Sequence, residues 1–153
     1  MLFDQSSHRI SHRSTRDTIF IASSILLNTL ISSVYVLSKL DQISLVRVIG
    51  VTIIALIIPF TYTLNRFLKD NEEKRITYSN AVIILYLLLE LLLDYVLLIP
   101  FREILWMHVP YILVFYAAEF SIIGVSFNLN RRMGSILLAT FFVLLGCLAF
   151  SYV

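Results

Sequence analysis

The sequence predicts an all-α, polytopic integral membrane protein, a bundle of five transmembrane helices. Of its 153 residues, 59% are hydrophobic and only 14% are charged, whereas soluble domains carry about 25% charged residues. The apolar residues are gathered in five stretches that reach the length of about 20 residues needed to cross the hydrocarbon layer. These stretches lack the period-2 alternation of barrel strands, so each one is expected to be a helix.

The elements follow one another with short polar separations. A polar, basic segment of residues 1–17 precedes the first apolar stretch and is expected to be a cytoplasmic leader. Residues 18–153 then form a single transmembrane domain, with predicted spans at 18–38, 43–64, 78–99, 108–127 and 134–153. Residues 101–107 mix apolar and charged side chains. They form either a short stretch lying on the outer surface or a plain loop, and both interpretations stay open.

The distribution of lysine and arginine predicts the orientation of the chain. Nine of these residues lie in the leader and in the loops after the second and fourth spans, against three on the other side. Cytoplasmic loops carry the excess of positive charge. We therefore expect the N-terminus in the cytoplasm and the C-terminus on the opposite side of a plasma or other cellular membrane. The nine are Arg9, Arg13, Arg16, Arg66, Lys69, Lys74, Arg75, Arg131 and Arg132, and the three are Lys39, Arg47 and Arg102.

Polar side chains inside the spans mark the candidate site. A turn of about 100° per residue places Tyr86, Glu90 and Asp94 on one face of the third span. Asn28 lies on a polar face of the first span, and Glu119 lies within the fourth. At about 1.5 Å per residue from the predicted outer boundaries, Glu90, Asn28 and Glu119 share a layer roughly 13–17 Å deep. We therefore expect two carboxyl groups and an amide to converge there.

Two carboxyl groups in one layer without water cannot both stay charged without a large free-energy cost, because burial and the like charge each disfavour ionisation. At least one is expected to be protonated and to share a hydrogen bond with the other, with Asn28 or with Tyr86. Such a shared proton would either hold the helices together or be exchanged with a ligand. Intramembrane ionisable residues are candidates for function by default.

Two further groups lie nearer the predicted outer surface. Arg47 and Asp94 are each about five residues, or roughly 7–8 Å, from the outer boundary, and we expect them to form an ion pair at the rim of the site. His108 begins the fourth span on the face of Glu119. It would act either as a proton relay or as an interfacial histidine that contacts lipid headgroups.

Several classes of function lack their signatures in this sequence. The single cysteine, Cys147, excludes an intrachain disulfide. His8 and His12 have the spacing of metal ligands on a helix, but no cysteine or acidic cluster accompanies them. A basic leader at the membrane surface explains them better than a metal site. No phosphate-binding glycine-rich loop and no metalloprotease or hydrolase motif is present. The sequence thus predicts no metal, no cofactor and no nucleic-acid partner.

Three functional interpretations remain. The favoured one is a protein that binds or transports a small or lipophilic solute, in a form that includes proton-linked exchange, with Asn28, Tyr86, Glu90 and Glu119 around the ligand. The second is a non-catalytic subunit or assembly partner of a membrane complex. The third is a membrane enzyme that acts on a lipid-like substrate, with Glu90 or Glu119 as general acid or base. The expected partners are the lipid bilayer, a small-molecule or lipid ligand, and further copies or subunits of a membrane complex.

Overall fold

The computed structural model describes residues 2–98 and 104–152, with side chains from residue 14 onward. Every regular element within these ranges is helical. His8, His12 and most of the leader's side chains lie outside the described residues, as does the first part of segment 101–107. The helices are α1 (Leu2–Lys39), α2 (Ile43–Ala55), α3 (Ile57–Lys69), α4 (Lys74–Glu90), α5 (Leu105–Leu129) and α6 (Arg131–Tyr152), and α4 continues into a π-helical turn at Leu91–Val96.

The helices supply five segments that are long and apolar enough to cross a membrane, so the predicted fold class is confirmed. These segments are consistent with an integral membrane location. The orientation of the termini and the division into leader and membrane domain stay predictions. The five segments are Ser14–Lys39, Ile43–Lys69, Lys74–Val96, Leu105–Leu129 and Arg131–Tyr152.

The second segment is broken into α2 and α3 because of Pro59. Proline has no backbone N–H, so Pro59 cannot donate to the carbonyl of Ala55, where α2 ends. The chain tightens at this point, where the N–H of Leu56 donates to the carbonyl of Ile53 at 3.1 Å. The i to i−4 pattern resumes when the N–H of Phe60 donates to Leu56 at 3.2 Å. The break therefore follows from the sequence.

Short turns join α1 to α2, α3 to α4 and α5 to α6. Asp41 and Asn71 adopt φ values of 55° and 50° in the turns after α1 and α3. Asparagine and aspartate are the non-glycine residues that enter this left-handed region most readily. Asn130 alone separates α5 from α6, and its side-chain oxygen accepts hydrogen bonds from the N–H groups of Arg132 at 3.0 Å and Met133 at 3.3 Å. This N-cap starts α6 directly after α5 ends.

The helices pack as a closed ring. α5 lies between α4 and α6, α1 follows α6, and the α2–α3 pair completes the ring between α1 and α4. Aromatic side chains fill much of the interior, as where the ring of Phe20 lies 5.7 Å from that of Phe60 and 5.9 Å from that of Phe67. Asn28 and Glu119 lie buried within this bundle. The ring order thus determines which polar groups meet.

Candidate functional site

A buried polar cluster joins α1, α5 and α6. Glu119 is only 1% exposed, and Asn28 is fully buried. One terminal atom of the Asn28 amide lies 3.0 and 3.1 Å from the two carboxyl oxygens of Glu119. The other terminal atom lies 3.1 Å from the hydroxyl oxygen of Thr140. The cluster therefore connects a carboxyl, an amide and a hydroxyl from three helices.

This cluster has two complete hydrogen-bond arrangements, which differ by one proton. When Glu119 is ionised, the NH₂ group of Asn28 donates to the carboxylate and its carbonyl accepts from Thr140. When Glu119 is protonated, its O–H donates to the carbonyl of Asn28, and the NH₂ group donates to Thr140. The Thr140 hydroxyl then donates to the carbonyl of Leu137 at 2.8 Å. Amide orientation follows from the hydrogen-bond network, so the proton on Glu119 decides which way Asn28 points.

A groove of about 480 Å³ opens beside this cluster, between α1, α2 and α6. Asn28 and Thr140 lie at its end in the middle of the bundle, and the groove extends from there to Leu37 and Cys147. Thr29, Ser32 and Ser33 are part of its α1 wall, but their hydroxyls already donate to backbone carbonyls at 2.7–2.8 Å. The groove is therefore apolar in practice along its length and polar at one end.

Glu90 belongs to a second cluster, between α4 and α5. The hydroxyl of Tyr86 donates to its Oε1 at 2.9 Å, and the hydroxyl of Tyr111 donates to the same oxygen. The ring of His108 stacks on Tyr111 at 6.3 Å, and its buried Nδ1 atom has no hydrogen-bond partner among the described residues. The structure thus brings the predicted Tyr86 and His108 to the surroundings of Glu90.

The two carboxyl groups do not share a hydrogen-bonded site, contrary to the convergence that the sequence suggested. Tyr111, Phe115 and Glu119 lie one turn apart along α5, so Tyr111 and Glu119 are separated by about 12 Å of rise. Phe115 is buried between them, with its ring 5.5 Å from that of Tyr86. Glu90 and Glu119 therefore lie in separate clusters, and Asn28 belongs to that of Glu119.

The predicted rim pair is not formed either. No ion pair joins Arg47 to Asp94, since the ion pairs between described side chains all involve Arg16. Arg47 is exposed, and its backbone carbonyl accepts a hydrogen bond from the hydroxyl of Tyr95 at 3.5 Å. Asp94 lies in the π-helical turn, where the i to i+5 bonding alters the direction of each side chain relative to a regular helix.

Thr140 and Tyr111 are the contact residues that sequence reasoning missed as part of a site. Thr140 is the tenth residue of α6, and Glu119 is the eleventh from the end of α5. One residue, Asn130, joins these two antiparallel helices. Thr140 follows it and Glu119 precedes it by nearly the same number of residues, so both side chains lie at one level in the bundle. This signal was present in the sequence.

Comparisons with protein-family models, curated proteins and solved structures gave no match.

Proposed function

We propose that this protein binds a small lipophilic solute within the membrane, in the groove between α1, α2 and α6. The observation that carries the proposal is a groove of about 480 Å³ that ends on Asn28 and Thr140. Ligand pockets have volumes of about 300–1,000 Å³ and combine apolar walls with a few placed polar groups. This groove has both properties.

The polar end of the groove defines the class of ligand. A chain of methylene groups would pack along the apolar walls, and a hydroxyl, amide or carbonyl group at its end would reach Thr140. The ligand is thus amphiphilic, with its polar group deep in the bundle. A long-chain alcohol or amide is the simplest molecule of this kind.

Proton linkage follows from the two arrangements of the cluster. The atom that Asn28 places beside Thr140 is a carbonyl oxygen when Glu119 is ionised and an amide nitrogen when it is protonated. The carboxyl of Glu119 contacts Asn28 from α1, and Asn28 in turn contacts Thr140 from α6, while Glu90 and Tyr86 of α4 form the other cluster. A ligand that distinguishes a donor from an acceptor binds one arrangement better and shifts the population toward it.

The single cysteine provides a test that needs no added label. Cys147 lines the groove, so a bound ligand should slow its alkylation by N-ethylmaleimide. Dodecanol should slow alkylation more than dodecane does. Thr140→Val should remove that difference, which we expect to be about tenfold in affinity, the ratio for one hydrogen bond of about 1.4 kcal/mol.

Matched variants separate binding from proton linkage. The protection ratio should change between acidic and alkaline pH in the wild-type protein and in Glu90→Gln, but not in Glu119→Gln. The glutamine amide at position 119 donates to the carbonyl of Asn28 as the protonated acid does. Ser135→Ala on α6 controls for helix substitution, because within the described residues this hydroxyl bonds to the carbonyl of Arg131 alone. Equal protection by dodecanol and dodecane would refute the proposed polar end, and copurification of a stoichiometric protein would favour a subunit role.

A further inference from the structure

A second groove, between α4 and α5, has a different composition and lies at the other end of the bundle. Its volume is about 170 Å³. Arg75 lies in the first turn of α4, and Asn128 in the last turn of α5, so the groove begins where α4 starts and α5 ends. The lining residues are Arg75, Ile76, Ser79, Phe120, Ser121, Gly124, Val125 and Asn128.

Three polar side chains of this groove, those of Arg75, Ser79 and Ser121, are available to a ligand. Arg75 is exposed and forms no ion pair with a described residue. The hydroxyls of Ser79 and Ser121 have no hydrogen-bond partner in the described ranges, whereas Ser24 and Thr29 in α1 donate to the carbonyl four residues earlier at 2.8 Å. Three donors therefore line one groove without an acceptor among the described residues.

The shape of the groove fits a molecule with an anionic head and an apolar body. A Cβ atom added at Gly124 would meet no other atom within 4 Å, so this glycine leaves open space beside the serines. Phe120 is 63% exposed and forms an apolar wall together with Ile76 and Val125. Arginine binds phosphate through its planar array of N–H donors.

We propose that this groove binds the phosphate of an anionic phospholipid. Arg75 contacts the phosphate oxygens, Ser79 and Ser121 donate to the phosphate or ester oxygens, and an acyl chain lies along Phe120. The groove lies at a helix end, where a phosphate at the membrane surface would meet it. This site shares no residue with the groove of α1, α2 and α6, so either proposal can fail alone.

The test uses the full chain in detergent and counts bound phosphatidylglycerol by native mass spectrometry. Arg75→Gln should lower binding by about tenfold, the ratio for one charge-assisted hydrogen bond. Arg132→Gln removes an equal charge from the same end of the bundle, outside the groove lining, and should leave binding within about twofold. Equal losses in the two variants would overturn the proposal in favour of a diffuse basic surface.

Two glycines provide a matched pair for blocking the groove. Gly124→Leu fills the open space, whereas Gly146→Leu adds the same side chain on α6, where an added Cβ also meets no atom within 4 Å. Only Gly124→Leu should abolish binding of phosphatidylglycerol. Retained binding in that variant would overturn the proposal. Inorganic phosphate should not displace the lipid at equal concentration, and displacement would show a free-anion site instead.

Discussion

Replacing Arg16 should destabilise the bundle more than replacing any exposed arginine. Its side chain is fully buried, and its Nη1 and Nη2 atoms lie 2.6 Å from Asp70 and 3.0 Å from Glu72. Its guanidinium also lies 4.6 Å from the ring centre of Phe67. These contacts tie α1 to the loop after α3, so Arg16→Gln should loosen the docking of α1 on that loop.

The expected loss is about 2.5 kcal/mol in the free energy of unfolding. Asp70 is 39% exposed, so its screened contact contributes about 0.5 kcal/mol. Glu72 is 13% exposed, and a charge-assisted hydrogen bond with this much burial contributes about 1.5 kcal/mol. The contact with the aromatic ring adds about 0.5 kcal/mol. The bond to Asp17 joins neighbours within α1 and does not hold the loop.

Unfolding in mixed micelles with increasing sodium dodecyl sulfate, followed by circular dichroism, measures this loss. Arg131→Gln is the control, since Arg131 is exposed and forms no ion pair with a described residue. It should change stability by less than about 0.5 kcal/mol. The double variant of Arg16→Gln with Glu72→Gln should show a coupling of about 1–2 kcal/mol. An equal effect of the two single arginine variants would refute the reasoning.

Two further substitutions test the packing and the second cluster. Gly134→Ala should destabilise the α5–α6 junction by about 1–3 kcal/mol, because an added Cβ would lie 2.5 Å from the ring of Phe127 and 2.8 Å from its Cα. The same denaturant titration should show no loss of stability for Gly146→Ala. Equal stabilities of the two variants would contradict the packing of Gly134 against Phe127. Tyr111→Phe removes a hydrogen-bond donor to Glu90 and should lower the free energy of unfolding by about 0.6–1.7 kcal/mol, the range for hydrogen bonds between membrane helices. An unchanged unfolding curve would mean that this hydrogen bond does not stabilise the bundle.

The number of membrane-length segments and their helical type could be predicted from the sequence, but not where the segments end. Hydropathy identifies the part of a helix that lies in hydrocarbon, whereas backbone hydrogen bonding continues the helix beyond it. The predicted second span ends at residue 64, but α3 continues to Lys69, and the third span begins with α4 at Lys74 rather than at residue 78. For the same reason the sequence places Arg16 in the cytoplasmic leader, whereas the structure buries its side chain.

These shifted ends account for the misplaced carboxyl groups. The predicted outer ends at residues 99 and 108 correspond to Val96 and Leu105 in the structure. Glu90 is therefore about 9 Å from its end and Glu119 about 21 Å from its own, at 1.5 Å per residue. The shift of three residues at each end makes Glu90 shallower and Glu119 deeper than predicted. The local spacing between Tyr86 and Glu90 was a sounder guide, because a step of four within one regular helix does not depend on the ends.

The direction of the larger groove restricts what it can hold. Asn28 lies twelve residues beyond Arg16 along α1, about 18 Å of rise, so the polar end of the groove is deep in the bundle. Its apolar part runs outward from there to Leu37 and Cys147.

A bilayer phospholipid has the opposite polarity, with its headgroup at the surface and its chains in the middle. It would bring a methyl terminus to Asn28 and Thr140, where it can form no hydrogen bond. A solute with one modest polar group satisfies both ends of the groove, because such a group can reach the centre of a membrane at far lower cost than a phosphate. Dodecanol should therefore protect Cys147 at concentrations where phosphatidylglycerol does not, although phosphatidylglycerol occupies the groove of α4 and α5.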